Sequence, residues 1–362
     1  MKKKMNYLLF VSVIIISIFG ILMITSASYI WAEYKFNDPF KFTKSQSLFF
    51  LIGIVFMVVV SKIDYKKYYI HCNKIFLATL ILLILVIIPG IGTVRNGSRS
   101  WFGIGSLGIQ PSEFMKLSLI IFISKYMCKN EKELRNIKKG LLPILALVLL
   151  VFGLIMLQPD FGTGVVLLMI SVGMFFVGGI NLKIFLYTGI IGIVGMIGLI
   201  LIAPYRIDRI ASFINPWKDP LGTGFQIIQS LYAIGPGGIF GFGLGNSRQK
   251  HFYLPEPQTD FIFSIISEEF GFLGCIIVTA LFLTIIITGF KIAKNCNDLF
   301  GKYLAFGITF WIAFQSVLNL MVVVGLIPVT GVTLPFLSYG GSSLLVSMAS
   351  IGIILNISRN VK

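Results

Sequence analysis

Long apolar runs separated by short polar stretches dominate this chain. Ten such runs fall near 7–28, 46–62, 74–90, 112–128, 141–158, 163–180, 183–203, 262–290, 303–325 and 340–358. Runs of about 18 or more apolar residues read as membrane-spanning helices. The pattern predicts an all-α polytopic membrane protein with about ten transmembrane helices, forming a single integral membrane domain over 1–362. Several runs are short or glycine-interrupted, and the third, fourth and tenth are the least sharply bounded. One hydrophilic stretch stands apart, 204–261, which reads as a large loop between helices 7 and 8. Within it Asn215-Pro-Trp-Lys-Asp-Pro220 reads as turns, because each proline biases its predecessor out of the helical region. Residues 224–234 have helical apolar spacing and are expected along the membrane surface. The glycines from Gly235 to Gly245 predict a closely packed turn region. They do not form a phosphate loop, since no Gly-x-x-x-x-Gly-Lys-Ser/Thr and no βαβ pattern accompanies them.

Composition agrees: 56% of the 362 residues are apolar and 12% charged, too few for a soluble protein of this length. The net charge of +16 sorts by loop. With the N-terminus inside, nineteen of the thirty Lys and Arg fall in cytoplasmic segments, Lys2 to Lys4 and Lys362 among them, and ten fall outside. Both termini are therefore expected in the cytoplasm. The basic balance is topological, and no nucleic-acid partner is implied. Lys2 to Lys4 and the apolar run ending Ser26-Ala-Ser28 have the look of a signal peptide, but the run is long for one and reads as a retained first helix. Cys72, Cys128, Cys275 and Cys296 show no C-x-x-C spacing, so neither a disulfide nor a zinc site is expected.

Three helices begin alike at the outer face. Gln110-Pro-Ser-Glu-Phe-Met-Lys116, Gln158-Pro-Asp-Phe-Gly-Thr163 and Gln258-Thr-Asp-Phe261 each carry an acid near the helix start. Such acids meet the positive end of the helix dipole, so Glu113 and Asp160 are also plain capping candidates. Asp260 is the leading functional candidate, an acid at the mouth of a helix bundle beside the one long hydrophilic loop. Glu113 and Lys116, three residues apart, share a helix face. Arg99 adds a cation on the same side, and Arg206, Arg209, Lys218 and Arg248 lie in the long loop. Glu268 and Glu269 fall about two turns beyond Asp260, with at least one expected to face inward. Together these residues describe an outward-facing polar cleft, suited to a lipid-linked anion. Ser247-Arg-Gln-Lys250 matches Ser-x-x-Lys only by coincidence, lacking a Lys-Thr-Gly partner.

At these motifs, and at Asn215-Pro-Trp through Gly271 and Gly331-Val-Thr-Leu-Pro-Phe-Leu-Ser-Tyr-Gly-Gly-Ser342, the chain resembles the SEDS family of bacterial cell-wall synthesis. Leu254-Pro-Glu-Pro-Gln-Thr-Asp-Phe-Ile-Phe263 is more similar to its FtsW and SpoVE branch than to RodA. The resemblance implies an inverting peptidoglycan glycosyltransferase that polymerises lipid II at the outer face of the bacterial cytoplasmic membrane, for septum or spore cortex. Asp260 would be the catalytic general base. Arg99, Lys116, Arg206, Arg209, Lys218 and Arg248 would be candidates for the pyrophosphate, Glu113 would orient Lys116 or the acceptor, and Glu268 would contact substrate. A class B penicillin-binding protein and divisome or sporulation proteins would be partners beside the membrane lipids. No cofactor is assigned; a divalent cation could share the charge, but the sequence shows no dedicated cluster of metal ligands. The rival readings are a lipid II flippase and a non-catalytic scaffold for the transpeptidase.

Overall fold

The computed structural model describes residues 5–95, 97–103, 108–180, 182–202 and 204–360. Lys2 to Lys4 and Lys362, counted above as cytoplasmic charges, lie outside the described residues. The first half comprises α1 (Tyr7–Phe36), α2 (Lys41–Lys62), α3 (Lys66–Leu85), a hairpin of β1 (Thr93–Arg95) and β2 (Ser98–Trp101), α4 (Pro111–Lys129), α5 (Leu142–Met156) and α6 (Phe161–Val177). Then come α7 (Leu182–Ile202), α8 (Pro204–Ile214), α9 (Phe225–Ile234), α10 (Ile262–Lys294), α11 (Leu299–Val323) and α12 (Gly341–Ser358). Ten of these helices, α1 to α7 and α10 to α12, fall on the ten apolar runs. Among the described residues seven helices are long and apolar enough to cross a membrane: α1, α2, α3, α5 with the turn from Ile137, α10, α11 and α12. Of the others, α6 has 17 residues, and α4 carries Glu113, Lys116, Lys125 and Lys129.

Two boundaries differ from the apolar pattern, each for a local reason. Helix α3 starts at Lys66 rather than near 74, because Asp64 accepts the Lys66 amide at 2.9 Å and opens the helix in a polar stretch. The stretch from Pro204 opens with an eleven-residue helix, α8, instead of a loop. Proline suits a helix start, and Ile207, Ile210 and Ile214 recur at three- and four-residue spacing. The expected surface helix is present as α9, which packs on α10 and α11.

Within lipid, helix association gains little from hydrophobicity and depends on close packing and polar contacts. Helix α12 lies along α2, α10 along α11 and α1, and α3 along α4. Asn356 of α12 donates to the Ser61 carbonyl at 2.9 Å and accepts from the Tyr65 amide at 2.9 Å, closing the turn between α2 and α3. Trp311 of α11 is fully buried at the centre.

The chain between α11 and α12 is largely non-helical, and such backbone at membrane depth must have its polar groups satisfied from within the protein. Side chains do so in order. Arg209 donates to the Val329 carbonyl at 2.9 Å, Asn319 to Val332 at 2.8 Å and Gln315 to Thr333 at 2.8 Å. The Leu334 amide donates to Ser338 Oγ at 2.8 Å, and the Gly340 amide to Gln46 Oε1 at 3.2 Å. This strap forms one wall of the site.

Candidate active site

The starts of α4, α6 and α10 meet, and their three glutamines do different jobs. Gln110 Nε2 donates to Asp160 Oδ2 at 3.0 Å, joining α4 to α6. Gln158 Nε2 donates to the Leu83 carbonyl at 3.3 Å, and its own carbonyl accepts from Ser98 of the hairpin. The Gln258 carbonyl accepts the Tyr339 amide at 2.8 Å, fixing the approach to α10 against the strap. Of the three, only Gln110 ties two helix starts through its side chain; Gln158 reaches the end of α3 and Gln258 acts through its backbone.

The three acids also differ. Asp160 is a true cap: its Oδ1 accepts the Thr163 amide at 3.1 Å. Withdrawal from water pushes its carboxyl up, against the pull of the Thr163 hydrogen bonds. Glu113 is no cap. It lies in the first turn of α4 and pairs with Lys116 at 2.8 Å, both side chains buried. Lys116 also donates to Gln315 Oε1 at 2.9 Å and lies 4.7 Å from the centre of the Trp311 ring. Trp311 Nε1 donates to the same Gln315 oxygen at 2.7 Å. An ammonium inside the bundle is thereby met by a carboxylate, an amide oxygen and an aromatic face.

Asp260 stands two residues before α10 and is partly buried. Its backbone is held, since Asn319 Nδ2 donates to the Asp260 carbonyl at 2.8 Å while also bonding Val332. Among the described residues no hydrogen bond to its carboxylate is found. Opposite is Gly331, with φ +74°, where a Cβ would lie 3.7 Å from Asp260 Oδ2. Glycine there permits the left-handed backbone and keeps any side chain from packing against the acid. Burial pushes the Asp260 carboxyl up to about 6; the negative charges of Glu256 and Asp160 act the same way, and Arg209 opposes them. An acid with that value and no committed hydrogen bond can take a proton near neutral pH.

The remaining sequence candidates divide. Arg209 shares the field of Asp260. Arg206 lies with its guanidinium 5.0 Å from the Phe161 ring, at the α6 start. Arg99 is half-buried on β2, in the hairpin that Ser98 ties to Gln158. Lys218 is exposed on a short 3-10 turn after α8. Arg248 is exposed, its guanidinium 5.2 Å from the Phe242 ring. Glu268 is buried with its carboxylate taken up by the Ser247 hydroxyl and the Arg248 and Gln249 amides. Sequence reasoning left Trp311, Gln315 and Asn319 unmarked. Polar residues inside a predicted span, four apart on one helix face, were the available signal.

The glycine-rich turn earns its composition from backbone contact. Helix α10 breaks at Gly271, with φ 62° and ψ −158°, and a Cβ there would meet the Gly241 nitrogen at 2.4 Å. The Phe242 and Gly243 amides donate to the Glu268 and Glu269 carbonyls, both at 2.9 Å.

Comparison with known proteins gives concordant matches. A family model described as "Cell cycle protein", covering FtsW, RodA and SpoVE, matches residues 6–362. Stage V sporulation protein E of Bacillus subtilis (strain 168) is 50% identical over 358 residues, covering 99% of this chain and 98% of its own. A probable peptidoglycan glycosyltransferase FtsW of Trichlorobacter lovleyi is 41% identical over 357 residues, covering 99% and 94%. Among solved structures, a chain of a peptidoglycan synthase complex that coordinates polymerization and crosslinking matches with TM-score 0.77 and 29% identity, over 98% of both chains.

Proposed function

Because the chain belongs to the FtsW/RodA/SpoVE family of cell-cycle proteins, we propose that it is a peptidoglycan glycosyltransferase that polymerises lipid II, with Asp260 as general base. The observation that carries this reading is the Asp260 carboxylate, free of hydrogen bonds among the described residues, set against Gly331 and raised to about 6. The acceptor sugar's 4-hydroxyl gives its proton to Asp260 as its oxygen attacks the donor's anomeric carbon. The bond from that carbon to the pyrophosphate breaks in the same displacement. Inversion follows, and no second carboxylate is needed as a nucleophile. General-base assistance of this kind contributes about two to four orders of magnitude.

Negative charge grows on the undecaprenyl pyrophosphate as it leaves, and cations must meet it. Arg209, already in the field of Asp260, is the first candidate; Arg99, Arg206 and Arg248 border the same end of the bundle. Lys116 acts differently. Glu113 and Gln315 hold its ammonium, so it organises the cleft floor and the strap. A divalent cation would need carboxylates grouped around it. Among the described residues no three His, Cys, Asp or Glu gather in that way, so no step is assigned to a metal.

The site end of the bundle faces outward in this reading, with both termini cytoplasmic and the whole chain one integral membrane domain. The similarity to a chain of a peptidoglycan synthase complex supports a partner that crosslinks the new glycan, a class B penicillin-binding protein. The relatives' names support septal division or spore-cortex synthesis as the setting. Flipping and scaffolding leave a raised, uncommitted acid without a task.

Incubating labelled lipid II with purified protein and a cognate class B partner tests this. Wild type is expected to yield glycan chains and the folded Asp260→Ala protein none. Product from neither, with labelled lipid crossing vesicle leaflets, would transfer the chain to the flippase class.

A further inference from the structure

The loop that leads to Asp260 is fastened to α10 by a buried charge cluster outside the cleft described above. Glu268 and Glu269 are consecutive on α10, 1% and 0% exposed. Glu268 accepts the Ser247 hydroxyl at 2.5 Å and the Arg248 and Gln249 amides at 2.8 and 3.4 Å. Glu269 Oε1 accepts the Lys250 ammonium at 3.1 Å, the Ser26 hydroxyl of α1 at 2.6 Å and the Ser247 amide at 3.3 Å. Lys250, itself only 6% exposed, also donates to the Gly245 carbonyl at 2.5 Å and Ser26 Oγ at 3.2 Å. Two acids are thus answered by one ammonium and by charge-assisted hydrogen bonds from hydroxyls and backbone.

Closing a turn does not require this. On the other side of the same loop, backbone bonds suffice: the Phe272 and Leu273 amides donate to the Gly238 and Ile239 carbonyls. What the charged cluster adds is a fixed place for Arg248. Its amide is pinned on Glu268 while its side chain stays exposed, the guanidinium near Phe242. Glu268 is six residues after Ile262, the first residue of α10, so the pin lies roughly 9 Å along the helix from the Asp260 end. In a lipid-linked sugar the pyrophosphate runs from the anomeric carbon toward the lipid. A cation meeting that charge must therefore stand on the membrane side of the base.

We infer that Glu268, Glu269 and Lys250 form a latch that holds Arg248 on the membrane side of Asp260, to meet the leaving pyrophosphate. The three are positioning residues, acting through Arg248, and the inference rests on the glycosyltransferase reading above. It also replaces substrate contact as the role of Glu268.

The test is a double-mutant cycle on the full chain with its class B partner, measuring kcat and KM for lipid II per folded molecule. Arg248→Ala is expected to lower kcat on the order of tenfold or more, with KM less affected. Lys250→Met should do the same, and the two together should be no worse than the more damaging single change. The acid limb of the pH profile, set by Asp260, should stay where it is in all three. If Lys250→Met does not fold, Ser26→Ala removes one donor to Glu269 and should lower kcat in wild type but not beside Arg248→Ala. An unaffected Arg248→Ala protein, or losses that multiply in the double variant, would overturn the latch while leaving the glycosyltransferase standing. No glycan from wild type would overturn the functional reading and the latch with it.

Discussion

Asp160 and Asp260 both sit where a helix begins, and their surroundings make them opposites. Asp160 is bound on both oxygens, by the Thr163 amide and by Gln110. Asp260 has its backbone pinned by Asn319 while its carboxylate looks across at a glycine. One acid has its hydrogen bonds committed to structure. The other has been kept from them, and burial first, then negative neighbours, hold its affinity for a proton high. The lesson is that a helix-start acid is read by what takes its oxygens, and only three-dimensional structure tells that.

Glu113 extends the comparison and should give the largest stability effect. Glu113→Ala leaves the Lys116 ammonium buried beside Trp311 and Gln315, at a cost of about 3–5 kcal/mol. Thermal unfolding in detergent reads this, and Glu113→Gln with Lys116→Met should recover most of it without restoring activity. Asp160→Ala removes a helix cap and should cost about 1 kcal/mol, whereas Asp160→Asn retains an acceptor and should cost less.

Asp260→Asn should behave in the reverse sense. A carboxyl raised in the folded state favours its protonated form, so this group's contribution is full at low pH and is lost as pH rises through about 6. The asparagine protein should therefore melt at a higher temperature than wild type above pH 6, with the gap closing in acid. A lower melting temperature at pH 7 would break the contrast with Asp160.

Activity should carry the same signature. Because the base must be ionised, kcat/KM should rise with pH to a limb near 6 and level off above it. The smallest effects come from the neighbours. Glu256→Gln should move that limb to lower pH and Arg209→Ala to higher pH, following the sign of each charge. A limb indifferent to both would remove Asp260 as its origin.

Much of this was legible in the chain itself. The ten apolar runs locate ten helices, and among the described residues seven of these are long and apolar enough to cross a membrane. Asp260, Glu113 and Lys116 stood out as charges at or within spans, where charge is costly. The helix α8 went unread because charged Arg206, Asp208 and Arg209 masked its isoleucine spacing in a stretch judged by polarity. The partners of Lys116 and Glu269 were invisible for a different reason: Gln315 lies 199 residues from Lys116, and Ser26 lies 243 from Glu269. No local pattern in one sequence encodes such pairs, nor the hydroxyl and amides of the 247–249 loop that meet Glu268.

The most direct measurement compares Asp260→Asn and Asp160→Asn for lipid II polymerisation, side by side, with the class B partner present and folding verified. Asp260→Asn is expected to lose about two to four orders of magnitude in rate, and Asp160→Asn no more than about tenfold. Equal losses in both, or a fully active Asp260→Asn protein, would contradict Asp260 as the base.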